Sequence, residues 1–208
     1  MSIGTPAKRA LLRGALTIRF PEQFRLSDEV FWQLCRANPM MDLERSARGE
    51  LVIVAPAGYD SDCRNTELIV RLYSWNDRNG RPGRVLGPSA GFILPDTAIR
   101  GPDASWISRE REATISEDDR QRFAHVCPEL VAEVRSPCDR KGQLRKKMRE
   151  YIANGARLGW LIDPTIQKKP VEIYRPDRSV ELLERPETLS GEDVLPGLVL
   201  DLKGILFD

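Results

Sequence analysis

Glu129-Leu130-Val131-Ala132-Glu133-Val134, then a helix-forming stretch from about Pro137 to Asn154, then Gly159-Trp160-Leu161-Ile162-Asp163, decides the fold. Both apolar runs are short, nearly continuous and bounded by turn residues, as expected of strands covered on two faces rather than one. The segment between them repeats apolar residues at helical spacing and closes on Gly155, a residue suited to the left-handed backbone at a helix end. Strand, helix, strand is a βαβ unit, two parallel strands joined by a right-handed crossover. The fold class is therefore α/β or α+β with a mixed sheet.

Outward from this unit the chain alternates short periodic segments with Pro and Gly punctuation. Ser27 is the expected N-cap of a first helix, with Leu26 placed to staple onto Phe31 and an end at Asn38-Pro39. Glu50–Val54 reads as a strand, and Ser61-Asp62 opens a second helix whose stripe is Leu68, Ile69, Leu72 and Trp75. Short strands are expected at 84–86, 91–94 and 103–107, and residues 109–122 read as a polar surface loop with a helical turn near Ser116. A hairpin follows at 171–174 and 180–183, and Leu195 to Leu206 adds an edge. Residues 1–25 are taken as an N-terminal extension and 26–208 as one domain.

The 208 residues include 41% hydrophobic and 30% charged side chains, enough to bury a core and too many apolar groups for a disordered tail. Four cysteines (Cys35, Cys63, Cys127, Cys138) form no Cys-x-x-Cys pair, and His125 is the single histidine, which argues against a zinc set and a disulfide scaffold. His125 reads as structural. Neither an h-region nor a membrane-length apolar run is present, and the expected location is the cytoplasm.

Net charge is +1, from 32 basic and 31 acidic residues, which alone predicts no nucleic-acid partner. The balance is a cancellation. Arg135 to Arg149 carries seven basic residues against Asp139, a local +6, whereas Pro176 to Asp208 has eight acids and three bases, a local −5.

Three residues look costly as structure. Glu133 lies inside an apolar strand, where a carboxylate needs a partner or the water at the strand's C-terminal end. Ligand sites of open sheets lie at those same ends, so the structural and functional positions coincide. Asp103, after Gly101-Pro102, reads by itself as a turn or cap aspartate. With about 100° per residue and Leu144 as zero, Met148, Tyr151 and Ile152 form the buried stripe of the helix and Lys147 falls at about −60°, on its border. Lys147 either snorkels over apolar surface or leans toward the sheet and Glu133. Ser136-Pro137-Cys138-Asp139 reads as an N-cap with Pro at the first helical position.

Pro102-Asp103, Glu133-Val134-Arg135-Ser136-Pro137, Lys147-Met148-Arg149-Glu150-Tyr151 and Gly159 to Pro164, in this order, resemble the Uma-two family of restriction-endonuclease-like proteins, a branch of the PD-(D/E)XK nuclease superfamily. The likeness extends to Leu43-Glu44-Arg45, Gly49-Glu50-Leu51, Pro56-Ala57-Gly58 and Leu195-Pro196-Gly197, covering roughly Leu26 to Leu202. It implies a restriction-endonuclease-like core, a mixed central sheet flanked by helices. It further implies that Asp103, Glu133 and the main-chain carbonyl of Val134 bind magnesium or manganese, and that Glu44 adds a further acid. Such oxygen ligands suit a hard ion that activates water and offsets charge on phosphoryl oxygens.

The superfamily's lysine, two residues after the glutamate, is Arg135 here. Arginine stays protonated and cannot serve as a base. The resemblance moves the lysine's role to Lys147 on the following helix. The function so implied is a metal-dependent endonuclease acting on DNA, with Arg135, Arg140, Lys141 and Arg145 on phosphates and a homodimer presenting two sites to two strands. Two alternatives stand beside it: an inactive nucleic-acid-binding or regulatory relative, and an oligomeric scaffold, the latter favoured if the basic helix is buried against an acidic surface.

Overall fold

A computed structural model describes residues 15–21 and 23–207. Along the chain follow β1 (Leu16–Ile18), α1 (Asp28–Ala37), β2 (Asp42–Arg45), β3 (Leu51–Val54), α2 (Tyr59–Arg78), β4 (Gly83–Leu86), β5 (Phe92–Ile93), β6 (Ile99–Arg100) and β7 (Ala104–Ser108). Two single-turn helices, α3 (Arg109–Glu112) and α4 (Glu117–Arg120), precede β8 (Leu130–Val134), α5 (Lys141–Ala153), β9 (Leu158–Ile162), β10 (Pro170–Tyr174) and β11 (Glu181–Glu184). β12 (Thr188–Ser190) and β13 (Val199–Asp201) end the series. Of the expected N-terminal extension, residues 1–14 and 22 lie outside the described residues, and Leu16–Ile18 pairs with β3.

The expected βαβ unit is present as β8, α5 and β9, with the two strands parallel in register from Leu130↔Leu158 to Val134↔Ile162. They lie at the centre of a six-stranded sheet of order β11-β10-β9-β8-β7-β4, whose other neighbours are antiparallel. This is the mixed sheet expected from the sequence, but it does not take all the strands, which among the described residues form three sheets in all, the smallest being the β12–β13 pair. A second, wholly antiparallel sheet has the order β1-β3-β2-β6-β5. Pro88, Pro95 and Pro102 interrupt residues 84–107, and a ladder cannot run through residues without an N–H. The pieces divide accordingly, β4 and β7 to one sheet, β5 and β6 to the other.

Strand alternation sorts β8 between two cores. Leu130, Ala132 and Val134 pack with Leu68, Leu72 and Trp75 of α2, and Val131 packs with Met148 and Tyr151 of α5. Glu133 shares the Val131 parity and faces α5. Residues 195–206 do not extend a sheet edge as expected. β13 pairs with β12, and Leu195, Leu198, Leu200, Leu202 and Ile205 cover the α2 side of the core, because so apolar a segment stabilises more as a lid than as an exposed edge.

α1 begins and ends as expected, Ser27 Oγ accepting from Val30 N at 3.2 Å, with Leu26 and Phe31 in one buried cluster. α2 starts two residues earlier than expected, after Gly58. α5 starts later, at Lys141, so Ser136 is not its cap. Asp139 Oδ2 instead accepts from Ser136 N at 2.7 Å, and the Arg135 guanidinium donates to the Asp139 carbonyl at 3.3 and 3.4 Å. These bonds hold residues 136–139 as a turn, and the helix begins beyond it.

Candidate active site

Because β7 runs antiparallel to β8 with Ala104 opposite Ala132, the start of β7 meets the end of β8. Asp103, one residue before β7, uses that position: its Oδ2 accepts from Val134 N at 2.7 Å, where a ladder bond would otherwise stand. The same register continued by two residues sets Pro102 opposite Val134, and proline has no N–H to give the Val134 carbonyl. Asp103 Oδ1 accepts from Asn65 Nδ2 of α2 at 3.1 Å.

Glu133, 4% exposed, reaches the other side of this strand end. Its Oε1 lies 2.8 Å from Lys147 Nζ and 3.4 Å from the Tyr151 hydroxyl. The border position of Lys147 on its helix is therefore the sheet-facing one, resolving the choice left open by helical spacing. Lys147 Nζ also lies 2.8 Å from Glu44 Oε1 and donates to the Gly101 carbonyl at 2.9 Å. An ammonium has three donors, and all three are occupied.

Glu44 corrects a local expectation. Its sequence surroundings suggest an exposed strand edge, yet it is buried on β2, accepting from Arg100 Nη1 at 3.0 Å and Gly101 N at 3.1 Å. Arg100 is itself held by Glu150 of α5 at 2.5 Å. Neighbouring Arg45 is buried too and is bound to the Leu26 carbonyl at 2.7 Å and to Asp28. Adjacent strand residues face opposite ways, so two consecutive charges can both be buried, each with its own partners. Asn65, Arg100 and Tyr151 belong to the site without having been singled out in the sequence. The signal for Asn65 was present: it falls at helical spacing from Leu68 and Leu72, a polar residue on a buried stripe.

The charges of the site follow from burial. Burial above all, then the nearby charges of Asp103 and Glu44, against the pull of Lys147, push the Glu133 carboxyl up to about 8. Burial raises Asp103 as well, although the Val134 N–H and Lys147 favour its charged form. Burial would raise Glu44, but Lys147 and Arg100 more than offset it and hold it low. Burial opposes the charge on Lys147, yet Glu133 and Glu44 outweigh it and keep the ammonium well above the ordinary lysine range. The two carboxylates thus favour the charged form of Lys147.

The basic segment is less open than its sequence implies. Arg135 donates to Asp163 at 3.1 and 3.3 Å and to Thr165 Oγ1 at 2.8 Å. Arg145 grips Glu172 with contacts of 2.6 to 3.0 Å, and Lys141 lies 3.3 Å from Asp163 and 3.2 Å from Glu172. Three of the four expected phosphate contacts are thus bound to buried carboxylates of this same chain. Arg140 remains exposed, as do Lys146 and Arg149, with no ion pair among the described residues.

A family model described as "Uma2: Putative restriction endonuclease" matches residues 28–203. The chain belongs to the Uma2 family. No curated protein matches it. Among solved structures, this Uma2 chain is similar to one titled a putative nuclease belonging to DUF820, from Anabaena variabilis. That structure is 20% identical and superposes with a TM-score of 0.65 over 79% of this chain and 89% of the other. At this identity the likeness concerns the fold, and it bears out the expected α/β core of mixed sheet and flanking helices.

Among the described residues of this Uma2 chain no three acidic, histidine or cysteine side chains gather into a metal cage, since Lys147 stands between Glu44 and Glu133. The oxygens that would hold an ion at the strand ends are those of Asp103, Glu133 and the Val134 carbonyl. Asn65 Oδ1 is buried without a hydrogen-bond partner among the described residues. Few carboxylates beside an unmatched oxygen suit a small hard cation that keeps several of its waters. The residues fit such an ion.

Proposed function

We propose that this Uma2 protein is a metal-dependent nuclease that hydrolyses phosphodiester bonds of DNA. The observation that carries the reading is that Lys147 lies 2.8 Å from both Glu133 and Glu44, while Asp103, just before β7, accepts at 2.7 Å from the N–H of Val134, the residue after Glu133. Buried carboxylates held close together raise one another's pKa and attract a cation. Magnesium or manganese, held by Asp103, Glu133 and the Val134 carbonyl, would supply a water of lowered pKa and positive charge at the phosphoryl oxygens.

The chain's own groups do the positioning. The Val134 N–H and the Asn65 amide fix Asp103. Lys147, its charged form favoured by Glu133 and Glu44, offsets negative charge developing on a phosphoryl group, and it must exchange one of its three present acceptors to reach one. Arg135 takes no part in proton transfer, since a guanidinium is no base and its donors are spent on Asp163, Thr165 and the Asp139 carbonyl. Arg140, Lys146 and Arg149 are the exposed cations of this segment available to a phosphate backbone.

A second reading, an inactive nucleic-acid-binding relative, is favoured by one observation: the occupied donors of Lys147, which close the site. Plasmid and oligonucleotide cleavage separates the two. The nuclease cuts with magnesium or manganese and not with chelator, and Asp103→Ala, Glu133→Ala and Lys147→Ala each lower the rate by about 100-fold or more. Salt-sensitive DNA binding with no product under any divalent ion supports the inactive relative, and cutting that survives Glu133→Ala overturns the site.

A further inference from the structure

We infer that Asn65 is a positioning residue of this site, its amide N–H orienting Asp103 and its amide oxygen serving the hydration shell of the divalent cation. The inference rests on the nuclease reading and goes beyond it by drawing α2 into the site.

Asn65 is 6% exposed and lies in the second turn of α2, at the start of its core stripe. Its orientation is fixed by chemistry: a carboxylate oxygen 3.1 Å away requires a donor, so Nδ2 faces Asp103 and Oδ1 is turned from it. Oδ1 is buried and accepts no hydrogen bond from a described residue. Buried amide oxygens in native proteins almost always have a partner, and an orphan marks a missing water or ion. The two polar atoms of one amide are about 2.3 Å apart, so Oδ1 stands within about 5.5 Å of Asp103 Oδ1. That is the reach of a water bound to a cation on Asp103.

The arrangement also explains why the residue is an asparagine. Only an amide places a donor and an acceptor on one short rigid fork. Leucine would fill the same volume on this stripe, beside Leu68, and leave Asp103 without its side-chain donor. Asn65 approaches from the α2 side of the sheet and Lys147 from the α5 side, so the carboxylates are steadied from both layers.

Manganese binding to the full chain, measured by electron paramagnetic resonance and titration calorimetry, tests this without an activity assay. Asn65→Ala should weaken Mn²⁺ binding about 10- to 100-fold. Asn65→Asp keeps an oxygen and loses the donor. It should melt below wild type in chelator and gain more from Mn²⁺ than wild type does. If Asn65→Ala binds as wild type, or if Asn65→Asp gains no more from Mn²⁺ than Asn65→Ala, the assignment is overturned. Should Asn65→Ala fail to fold, the Asn65→Asp comparison with wild type decides alone. A wild-type chain that binds no Mn²⁺ removes the metal reading itself, a result distinct from an Asn65 failure.

Discussion

Replacing Glu133 by Gln removes an ionisable group whose environment disfavours its charge, while keeping its size and an oxygen for Lys147. In the folded protein the carboxyl is pushed from its ordinary 4.5 up to about 8, first by burial. Below about pH 4.5 folded and unfolded chains both carry the proton, and Glu and Gln are equivalent. Above it the unfolded chain releases the proton and the folded chain retains it, so wild type loses about 1.4 kcal/mol relative to Glu133→Gln for each pH unit. The loss levels off once the folded carboxyl also ionises, near pH 8. Between about pH 5.5 and about pH 8 the gap should therefore widen by about 3 kcal/mol, or on the order of 6–12 °C in Tm for a chain of this size. Urea titrations in chelator at a series of pH values read the gap directly, with Glu133→Gln the more stable at high pH. A gap that does not change with pH would falsify the reasoning, for it would mean that Glu133 ionises as it does in water.

Arg135→Lys places a lysine two residues after Glu133 without giving it access to the site: it should lower stability by about 1–2 kcal/mol through loss of the fork on Asp163 and leave the initial cleavage rate no higher than wild type. A rate increase would mean that position 135 addresses the reacting centre. Gly159→Ala places a Cβ 2.6 Å from Met148 Cε where α5 packs on β9, with an expected cost of about 1–3 kcal/mol. A Met148→Ala change in the same chain should relieve part of that cost, and strict additivity in a double-mutant cycle would exclude the contact as its source. Alkylation of the native protein followed by mass spectrometry should label exposed Cys63 and Cys138, and spare Cys127, whose thiol is buried and pushed up to about 12. Rapid labelling of Cys127 would show that the α5 side of the core opens readily.

The βαβ unit was legible because its signals are local. Apolar runs in β8 and β9 have no polar face to hide, whereas the angle of Lys147 on α5 set it only at the border of the buried stripe, and the contact with Glu133 decides its direction. Glu133 was legible as a charge in an apolar strand. What was not legible depended on partners distant in sequence. Glu44 looks exposed until Arg100 and Lys147 are set beside it. Ser136 looks like a cap until Asp139 takes its N–H and Arg135 locks the turn. The division into two sheets depended on how three prolines distribute short strands, which periodicity over two or three residues cannot specify. The +6 segment misled for the same reason, since Asp163 and Glu172, which pair with it, lie outside the window counted.

Those two carboxylates have a consequence for counterions. A cation already paired with a protein carboxylate displaces no ion from DNA, so only the exposed cations of the α5 segment contribute to the salt dependence of binding. With Arg140, Lys146 and Arg149 engaged, that segment contributes a slope of log affinity against log salt of about −3, where seven independent cations would give about −6. Asp163 and Glu172 act as built-in counterions, and in the proposed nuclease the grip on a nucleic acid would shift from long-range attraction toward the fit of the strand ends around a phosphate.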